Sequence, residues 1–311
     1  MHMKKILRII LWILIPVFLL FNMITAFHAY KFTHFYNARS KDTIHANKGL
    51  SVKDIFFGID YFKKPDTRLP DTSFETVYLT TGGLKLQGWM IRVPNAKGTV
   101  AMFHGHGGNK SDILYEAREF RKLGYNTFLL DFRAHGNSEG NTCTIGVSEA
   151  DDVQLAYNFI KEKGEKHITL WGVSLGAASI TRAISIHHIS PEKVILELPF
   201  GSLLQAVKAR VRMMHLPEQP ISSMLTFWGG IEHGFWAFEN CPAEYVKDIK
   251  CPVLFQFAEL DSRVSREEDD AISSNIIAPK TVVMYTGATH ESLCKKAPEK
   301  WVSTISSFLK P

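Results

Sequence analysis

The chain has 311 residues, of which 45% are hydrophobic, and this composition excludes an intrinsically disordered protein. Its 36 lysine and arginine residues outnumber its 31 acidic residues, but seven of the basic residues lie in residues 1–50. Residues 51–311 carry 29 basic and 30 acidic side chains, so they lack the basic surface that a nucleic-acid partner requires. The 4 cysteines contain no C-x-x-C pair and predict neither a disulfide scaffold nor a zinc site.

The N-terminal segment is apolar enough to cross a membrane. An apolar run extends from Ile9 to Phe27 and, at about 1.5 Å per helical residue, nearly matches the thickness of a bilayer core. Its length favours an uncleaved single-pass anchor in residues 1–30 over a cleaved signal peptide, whose apolar region is about 7–15 residues. Basic residues flank the run on both sides, so the positive-inside rule does not assign the side of the membrane.

Two further segments follow the apolar run. Residues 31–70 show no strong hydrophobic period and predict a juxtamembrane connector, with a short helix in Val52–Phe62. Residues 71–311 predict a folded domain that opens with the β-rich runs Phe74–Thr80 and Leu84–Val93. Two glycines between these runs permit a tight turn, so they predict an antiparallel hairpin.

After the hairpin, short apolar strands alternate with helical stretches. Such alternation predicts βαβ units and an α/β fold whose mainly parallel sheet is covered by helices on both faces. The predicted strands are Thr99–His104, Asn126–Asp131, His167–Gly172, Lys193–Leu198, Pro252–Ala258 and Thr281–Tyr285. The predicted helices are Asp112–Leu123, Ser148–Glu162, Leu175–His187 and Glu291–Leu309.

A long insertion interrupts this alternation at about residues 200–250. It is far longer than the usual connection of about 2–6 residues and predicts a helical cap. Its methionine and aromatic side chains predict an apolar substrate pocket, because methionine adapts to irregular apolar shapes. The candidate pocket residues are Met213, Met214, Phe227, Trp228, Phe235 and Trp236.

The pattern G-x-S-x-G, which places a catalytic serine on a sharp turn between a strand and a helix, occurs twice. The match Gly172–Gly176 follows an apolar strand and precedes an alanine-rich helix, as this turn requires. The match Gly136–Gly140 lies in a polar stretch with no helix former directly after it. We therefore predict Ser174 as the nucleophile and Ser138 as a loop serine.

A serine hydroxyl needs a base to remove its proton, and the base needs a carboxylate that holds it in one tautomer. In this structural context the order along the chain is serine, acid, histidine. His290 lies in a loop directly after a predicted late strand, and Asp261 follows the preceding strand in the same way. The predicted triad is therefore Ser174, Asp261 and His290, with Glu259 as the alternative acid.

Acyl transfer also requires two backbone N–H groups that stabilise the developing oxyanion. One is predicted at Leu175, directly after the nucleophile and at the positive end of its helix. The other is predicted at His106 in the glycine-dense loop 104–109. This loop lacks the Gly-Lys-Ser adjacency of a phosphate-binding loop and the further ligands of a metal site, so we predict no metal and no cofactor.

Collectively these motifs resemble the α/β-hydrolase superfamily, particularly its esterase, acylglycerol-lipase and serine-aminopeptidase-like members. The resemblance covers about residues 74–309. It implies an α/β-hydrolase fold with an eight-stranded sheet, an antiparallel second strand and a cap after the sixth strand. The segments that carry it are His104–Asn109, Asp131–Gly140, Gly172–Gly176, Asp261 and His290, of which Asp131–Gly140 is by resemblance a structural loop near the active site.

The sequence thus predicts a membrane-anchored serine hydrolase that cleaves carboxylic esters, with lipid or acylglycerol esters as candidate substrates. A serine aminopeptidase would use the same triad but should need an acidic group for a free amine, for which Glu218, Glu232 and Glu239 are candidates. A membrane-tethered binding or scaffold protein of the same fold is the alternative from another class. The predicted partners are an ester substrate and a membrane.

Overall fold

A computed structural model of the chain describes residues 2–37 and 52–310. Part of the predicted connector, residues 38–51, lies outside the described residues. The strands in chain order are β1 (Phe35–Tyr36), β2 (Tyr61–Phe62), β3 (Glu75–Thr81), β4 (Leu84–Ile91), β5 (Thr99–Phe103), β6 (Asn126–Leu130), β7 (Ile168–Val173), β8 (Lys193–Glu197), β9 (Val253–Ala258) and β10 (Lys280–Tyr285).

The described residues contain one eight-stranded sheet in the order β10-β9-β8-β7-β5-β6-β4-β3. Strand β4, the second of this sheet, is antiparallel to both of its neighbours, and the other neighbouring pairs are parallel. This topology confirms the predicted fold class. Strands β1 and β2 form a separate parallel pair.

Helices cover both faces of the sheet. The helices in chain order are α1 (His2–Thr33), α2 (Val52–Phe57), α3 (Leu114–Lys122), α4 (Glu149–Glu162), α5 (Leu175–His187), α6 (Leu203–Met213), α7 (Ile221–His233), α8 (Pro242–Tyr245), α9 (Arg266–Asn275), α10 (Leu293–Lys296) and α11 (Pro298–Leu309).

The central strands are buried on both faces, which explains their continuous apolar sequences. In β5, Ala101 and Phe103 belong to the core on the α4 and α5 face, whereas Val100 and Met102 belong to the opposite core. The opposite core is closed by side chains of α3 and α11, including Phe120. Successive residues of β5 therefore pack alternately against the helices on the two faces of the sheet.

Two predicted helices have different bounds in the structure. The predicted helix Val52–Phe62 ends at Phe57 because Gly58 takes a positive φ of 77°, and the following Tyr61–Phe62 pairs as a strand with Phe35–Tyr36. The predicted helix Glu291–Leu309 is divided into α10 and α11, since Pro298 begins a new helix and cannot continue the preceding one. Neither change affects the order of the central sheet.

The cap consists mainly of α6 and α7, which follow β8, the sixth strand of the large sheet. The C-terminal third of α1 packs on the cap, where Thr25, Ala29 and Thr33 are buried. The indole N–H of Trp228 donates to Asn22 Oδ1 over 3.3 Å. Helix α1 is thus joined to the cap along one side and is not a free tether.

A buried carboxyl group lies directly behind the turn that carries Ser174. The carbonyl oxygen of Glu197 accepts a hydrogen bond from Ser174 N–H over 2.8 Å. Its side-chain Oε1 accepts from the indole N–H groups of Trp171 and Trp301 over 2.8 and 2.7 Å. Burial raises the pKa of Glu197 to about 8, so the folded protein holds this side chain largely neutral at pH 7.

Replacing Glu197 with glutamine should change how stability depends on pH. The pKa of Glu197 is about 8 in the folded protein against 4.5 for an unperturbed glutamate. Its stabilising contribution is therefore complete below pH 4.5 and is lost as the pH rises towards 8. Glutamine does not ionise, so the stability of Glu197→Gln relative to wild type should rise by up to about 1.4 kcal/mol per pH unit in this range.

Thermal unfolding of both proteins at pH 5 and pH 8 measures this difference. Glu299→Gln, on the exposed surface of α11, is the matched control, and its difference in stability from wild type should be the same at both pH values. A pH-independent difference for Glu197→Gln would contradict the prediction.

Candidate active site

Ser174 lies on the turn between β7 and α5 with φ 53° and ψ −112°, a strained conformation for a serine. Steric crowding explains why glycines flank it. A Cβ on Gly172 would lie 2.5 Å from the carbonyl carbon of Gly176, and a Cβ on Gly176 would lie 2.2 Å from the carbonyl oxygen of Phe103. The turn can therefore form only if both positions lack a side chain.

The structure places His290 and Asp261 beside this serine. His290 Nε2 lies 3.1 Å from Ser174 Oγ, and His290 Nδ1 lies 2.7 Å from Asp261 Oδ2. Asp261 follows β9 and His290 follows β10, so both lie at the edge formed by the carboxyl ends of the parallel strands. The three residues that the sequence analysis predicted as a triad thus form one hydrogen-bonded chain.

The acid of this chain is held by its own loop. Asp261 Oδ1 accepts hydrogen bonds from the N–H groups of Arg263 and Val264 over 2.7 and 3.1 Å. Glu259, the alternative acid, is exposed, and its Oε2 accepts instead from Gly287 N–H over 2.8 Å. Asp261 is therefore the acid that the structure places against His290.

Two backbone N–H groups near Ser174 are available to a ligand. Leu175 begins α5, and the loop that contains His106 passes beside the serine: a Cβ on Gly105 would lie 3.6 Å from Ser174 Cβ. Among the described residues, neither the Leu175 N–H nor the His106 N–H donates a hydrogen bond to a protein acceptor. Both groups predicted as oxyanion donors are thus unpaired.

Buried histidines hold the loop around His106. His104 Nε2 accepts a hydrogen bond from Phe132 N–H over 3.2 Å, and His135 Nε2 accepts from Gly107 N–H over 3.1 Å. Burial lowers the pKa of His104 to about 4 and that of His135 to about 3, so both rings are neutral at pH 7. The sequence analysis did not assign these supporting roles, although His135 lies in the segment predicted to be a structural loop.

These rings do not form a metal site. The nitrogens of His104 and His135 are engaged with the backbone. Within residues 2–37 and 52–310, no group of three histidine, cysteine, aspartate or glutamate side chains is arranged to hold a metal ion. The prediction that the protein uses no cofactor stays a prediction.

The second serine of the G-x-S-x-G pattern has a different environment. Ser138 Oγ donates to the carbonyl oxygen of Asp131 over 2.6 Å and accepts from Gln87 N–H over 2.9 Å. The Asp131 carboxylate pairs with Lys110 Nζ over 2.6 Å, and both of these side chains are fully buried. Ser138 is thus part of a buried network that holds its loop on the sheet.

An apolar cleft with an empty volume of about 680 Å³ opens beside Ser174 and His290. Helix α6 of the cap supplies much of its wall, and α1 supplies Phe32. Among the described residues on its wall, the side chains with a permanent charge are those of Arg210 and Arg263. Other lining residues are His106, Leu203, Val207, Met213 and Val264.

The predicted substrate pocket is only partly matched by this cleft. Met213 lines it, whereas Met214 and Phe235 line a second cavity between α1 and the cap. The other three predicted residues, Phe227, Trp228 and Trp236, line neither space.

These three side chains have other surroundings. Trp228 contacts Asn22 of α1, and the Phe227 ring packs against the Trp228 ring at a centroid distance of 5.4 Å. Trp236 is 53% exposed. The place of these three aromatic residues in a substrate pocket stays a prediction.

The fold, the strained serine turn and the hydrogen-bonded Ser-His-Asp arrangement define an enzyme of the α/β-hydrolase type. The sequence profile of the family described as serine aminopeptidase S33 matches residues 94–225. The protein YqkD of Bacillus subtilis is 24% identical over 231 residues, which cover 73% of this chain and 76% of that protein.

Other proteins add to this likeness. The lysophosphatidylserine lipase ABHD12 of Danio rerio is 29% identical over 182 residues, which are 53% of this chain but only 44% of that protein. The structure of the Pyrococcus furiosus esterase Pf2001 aligns with a TM-score of 0.63 at 23% identity, covering 79% of this chain and 97% of the esterase. The chain thus has the fold of the α/β hydrolases.

Replacing each of the two candidate serines should separate their roles. Ser174→Ala should abolish covalent labelling by a fluorophosphonate probe and lower kcat on an activated ester by about three orders of magnitude or more. Ser138→Ala should keep the labelling but lower the free energy of unfolding by about 1–3 kcal/mol, because it leaves buried hydrogen-bonding groups unpaired. Labelling of a folded Ser174→Ala protein would contradict the assignment of the nucleophile.

Proposed function

We propose that this protein is a serine hydrolase that cleaves carboxylic esters with an apolar acyl chain. The observation that carries the proposal is the pair of hydrogen bonds that joins Ser174, His290 and Asp261, with an apolar cleft opening beside the serine. The same three side chains are arranged so that a proton can leave the hydroxyl as it attacks.

In the proposed reaction, His290 Nε2 takes the proton of Ser174 Oγ while the oxygen attacks the ester carbonyl. The N–H groups of His106 and Leu175 stabilise the negative charge that develops on the carbonyl oxygen. His290 then gives its proton to the leaving alcohol, and an acyl-enzyme remains. A water molecule, deprotonated by His290, hydrolyses it, while Asp261 stabilises the imidazolium in both steps.

The charge of the cleft favours an ester over a peptide with a free N-terminal amine. A free ammonium group needs a carboxylate partner, but the described lining residues include none and instead include Arg210 and Arg263. The acidic side chains predicted for this role lie away from the cleft: Glu218 accepts a hydrogen bond from Arg212 over 2.9 Å, and Glu239 is exposed. Glu232 is half-buried and also does not line the cleft.

The local geometry also favours a catalyst over a scaffold protein. The positive φ of Ser174 reduces the stability of the fold, and the two N–H groups beside the serine have no protein acceptor. A protein selected only for binding would have no need to keep this strain beside a correctly placed histidine. The strain therefore supports a role for this turn in the reaction.

We further propose that α1 anchors the enzyme in a bilayer. The 24 residues Ile10–Thr33 are long and apolar enough to span one, since a span needs about 20. The part of α1 before the cap contact exposes large apolar side chains, including Trp12, Leu14 and Leu19. An anchor of this kind would hold the cleft close to lipid. Lipid esters are accordingly the proposed substrates, as the name of the zebrafish relative, a lysophosphatidylserine lipase, also suggests.

A substrate panel tests the proposed reaction. The full-length enzyme should hydrolyse p-nitrophenyl esters with a kcat/KM at least about 100-fold above that for aminoacyl p-nitroanilides, because the cleft offers no carboxylate for the free amine. Ser174→Ala provides the background rate. A preference for the anilides would overturn the ester assignment in favour of a peptidase.

Alkaline carbonate extraction tests the proposed anchor. The wild-type protein should stay in the membrane pellet, and Leu14→Asp combined with Leu19→Asp should release it, since an aspartate near the centre of a span costs about 2.5–3.5 kcal/mol. Leu69→Asp, at an exposed position outside α1, is the control and should stay in the pellet. Recovery of the wild-type protein in the soluble fraction would exclude a spanning helix.

A further inference from the structure

A second cavity, with an empty volume of about 800 Å³, lies between α1 and the cap. Its lining is mainly apolar. From α1 it includes Ala29 and Phe32, and from the cap it includes Leu225, Gly229 and Phe235.

The cavity and the catalytic cleft share a wall. The side chains that line both spaces are Phe32, Ile145, Leu203, Val207 and Arg210. Because the same side chains face both spaces, the two are separated by no more than one layer of side chains. For an acyl chain bound at Ser174, the adjoining apolar space is therefore this cavity.

Helix α1 is close to the reacting groups at this wall. The Phe32 ring stacks on the His106 ring with a centroid distance of 5.0 Å, and His106 carries one of the two proposed oxyanion donors. The Arg210 guanidinium lies over the Phe32 ring and makes a hydrogen bond to the Tyr61 hydroxyl. The C-terminal end of α1 thus forms part of the boundary between the serine and the cavity.

We propose that this cavity holds the distal part of the substrate's acyl chain, and that α1 is therefore a wall of the substrate site and determines the chain length accepted. The inference rests on the proposed ester hydrolase function. The occupant is one long acyl chain, because the lining is apolar and the space adjoins the cleft that contains Ser174. The outer part of α1, which exposes its apolar side chains, leads from this site towards the proposed bilayer.

Chain length should then control the rate. Each methylene group that enters the cavity contributes about 0.8 kcal/mol, which raises kcat/KM by about fourfold. Esters too short to pass the shared wall should show no such gain. For the wild-type enzyme, kcat/KM should keep rising as the acyl chain becomes longer than the catalytic cleft alone can hold.

Filling the cavity tests the proposal. Gly229 lines it from α7, and a Cβ built on Gly229 meets no atom within 4 Å, so Gly229→Leu adds bulk without a backbone collision. The variant should hydrolyse p-nitrophenyl acetate within about twofold of wild type and lose about tenfold or more of kcat/KM on p-nitrophenyl dodecanoate. Ala29→Leu fills the same cavity from α1 and should have the same effect.

The measurements use the full-length enzyme in vesicles of an ether-linked phosphatidylcholine, which offers no carboxylic ester. Ile231→Phe adds bulk on the exposed side of α7 and should keep the wild-type dependence of kcat/KM on acyl-chain length. Thermal unfolding and fluorophosphonate labelling check that each variant is folded, and Ala29→Leu decides the outcome if Gly229→Leu does not fold.

The possible failures are distinguishable. If a folded cavity variant keeps the wild-type preference for long chains, or loses activity equally on both esters, the acyl-chain site is wrong while the proposed function stands. If wild-type enzyme cleaves neither ester above the Ser174→Ala background, the proposed function itself fails.

Discussion

The site depends on steric crowding at the turn between β7 and α5, which carries Ser174. The backbone of β7, the start of α5 and the end of β5 approach so closely that neither Gly172 nor Gly176 could carry a Cβ. This crowding places Ser174 in a positive-φ conformation at the carboxyl edge of the sheet. Loops after β9 and β10 reach the same edge because their strands are parallel, and so Asp261 and His290 meet the serine from distant parts of the sequence.

The sheet and the serine turn were predictable from the sequence because their signals are local. Apolar runs of strand length and the glycines of the turn reflect burial and crowding that any chain of this topology must accommodate. The fold class is confirmed. The positions of Asp261 and His290 followed from the order of elements, and the structure brings both to Ser174; their catalytic roles remain proposals.

The cap was predicted only in outline, because the orientation of its side chains depends on a partner far away in the sequence. Composition marked Phe227, Trp228 and Trp236 as apolar, but in the structure Trp228 contacts Asn22 of α1, Phe227 packs against Trp228, and Trp236 is exposed. No pattern within the cap encodes that contact. The helix end at Phe57 and the break before Pro298 have local causes, since Gly58 takes a positive φ and Pro298 cannot continue the preceding helix.

The docking of α1 on the cap has a kinetic consequence. Because Asn22 and Thr33 of α1 are hydrogen-bonded to α7, the cap and α1 are held together, and Ser174 keeps a fixed position along the axis of α1. With α1 in a bilayer as proposed, catalysis takes place in two dimensions. The rate then follows the mole fraction of ester in the membrane surface, and adding inert lipid slows the enzyme even when the total amount of ester per litre is unchanged.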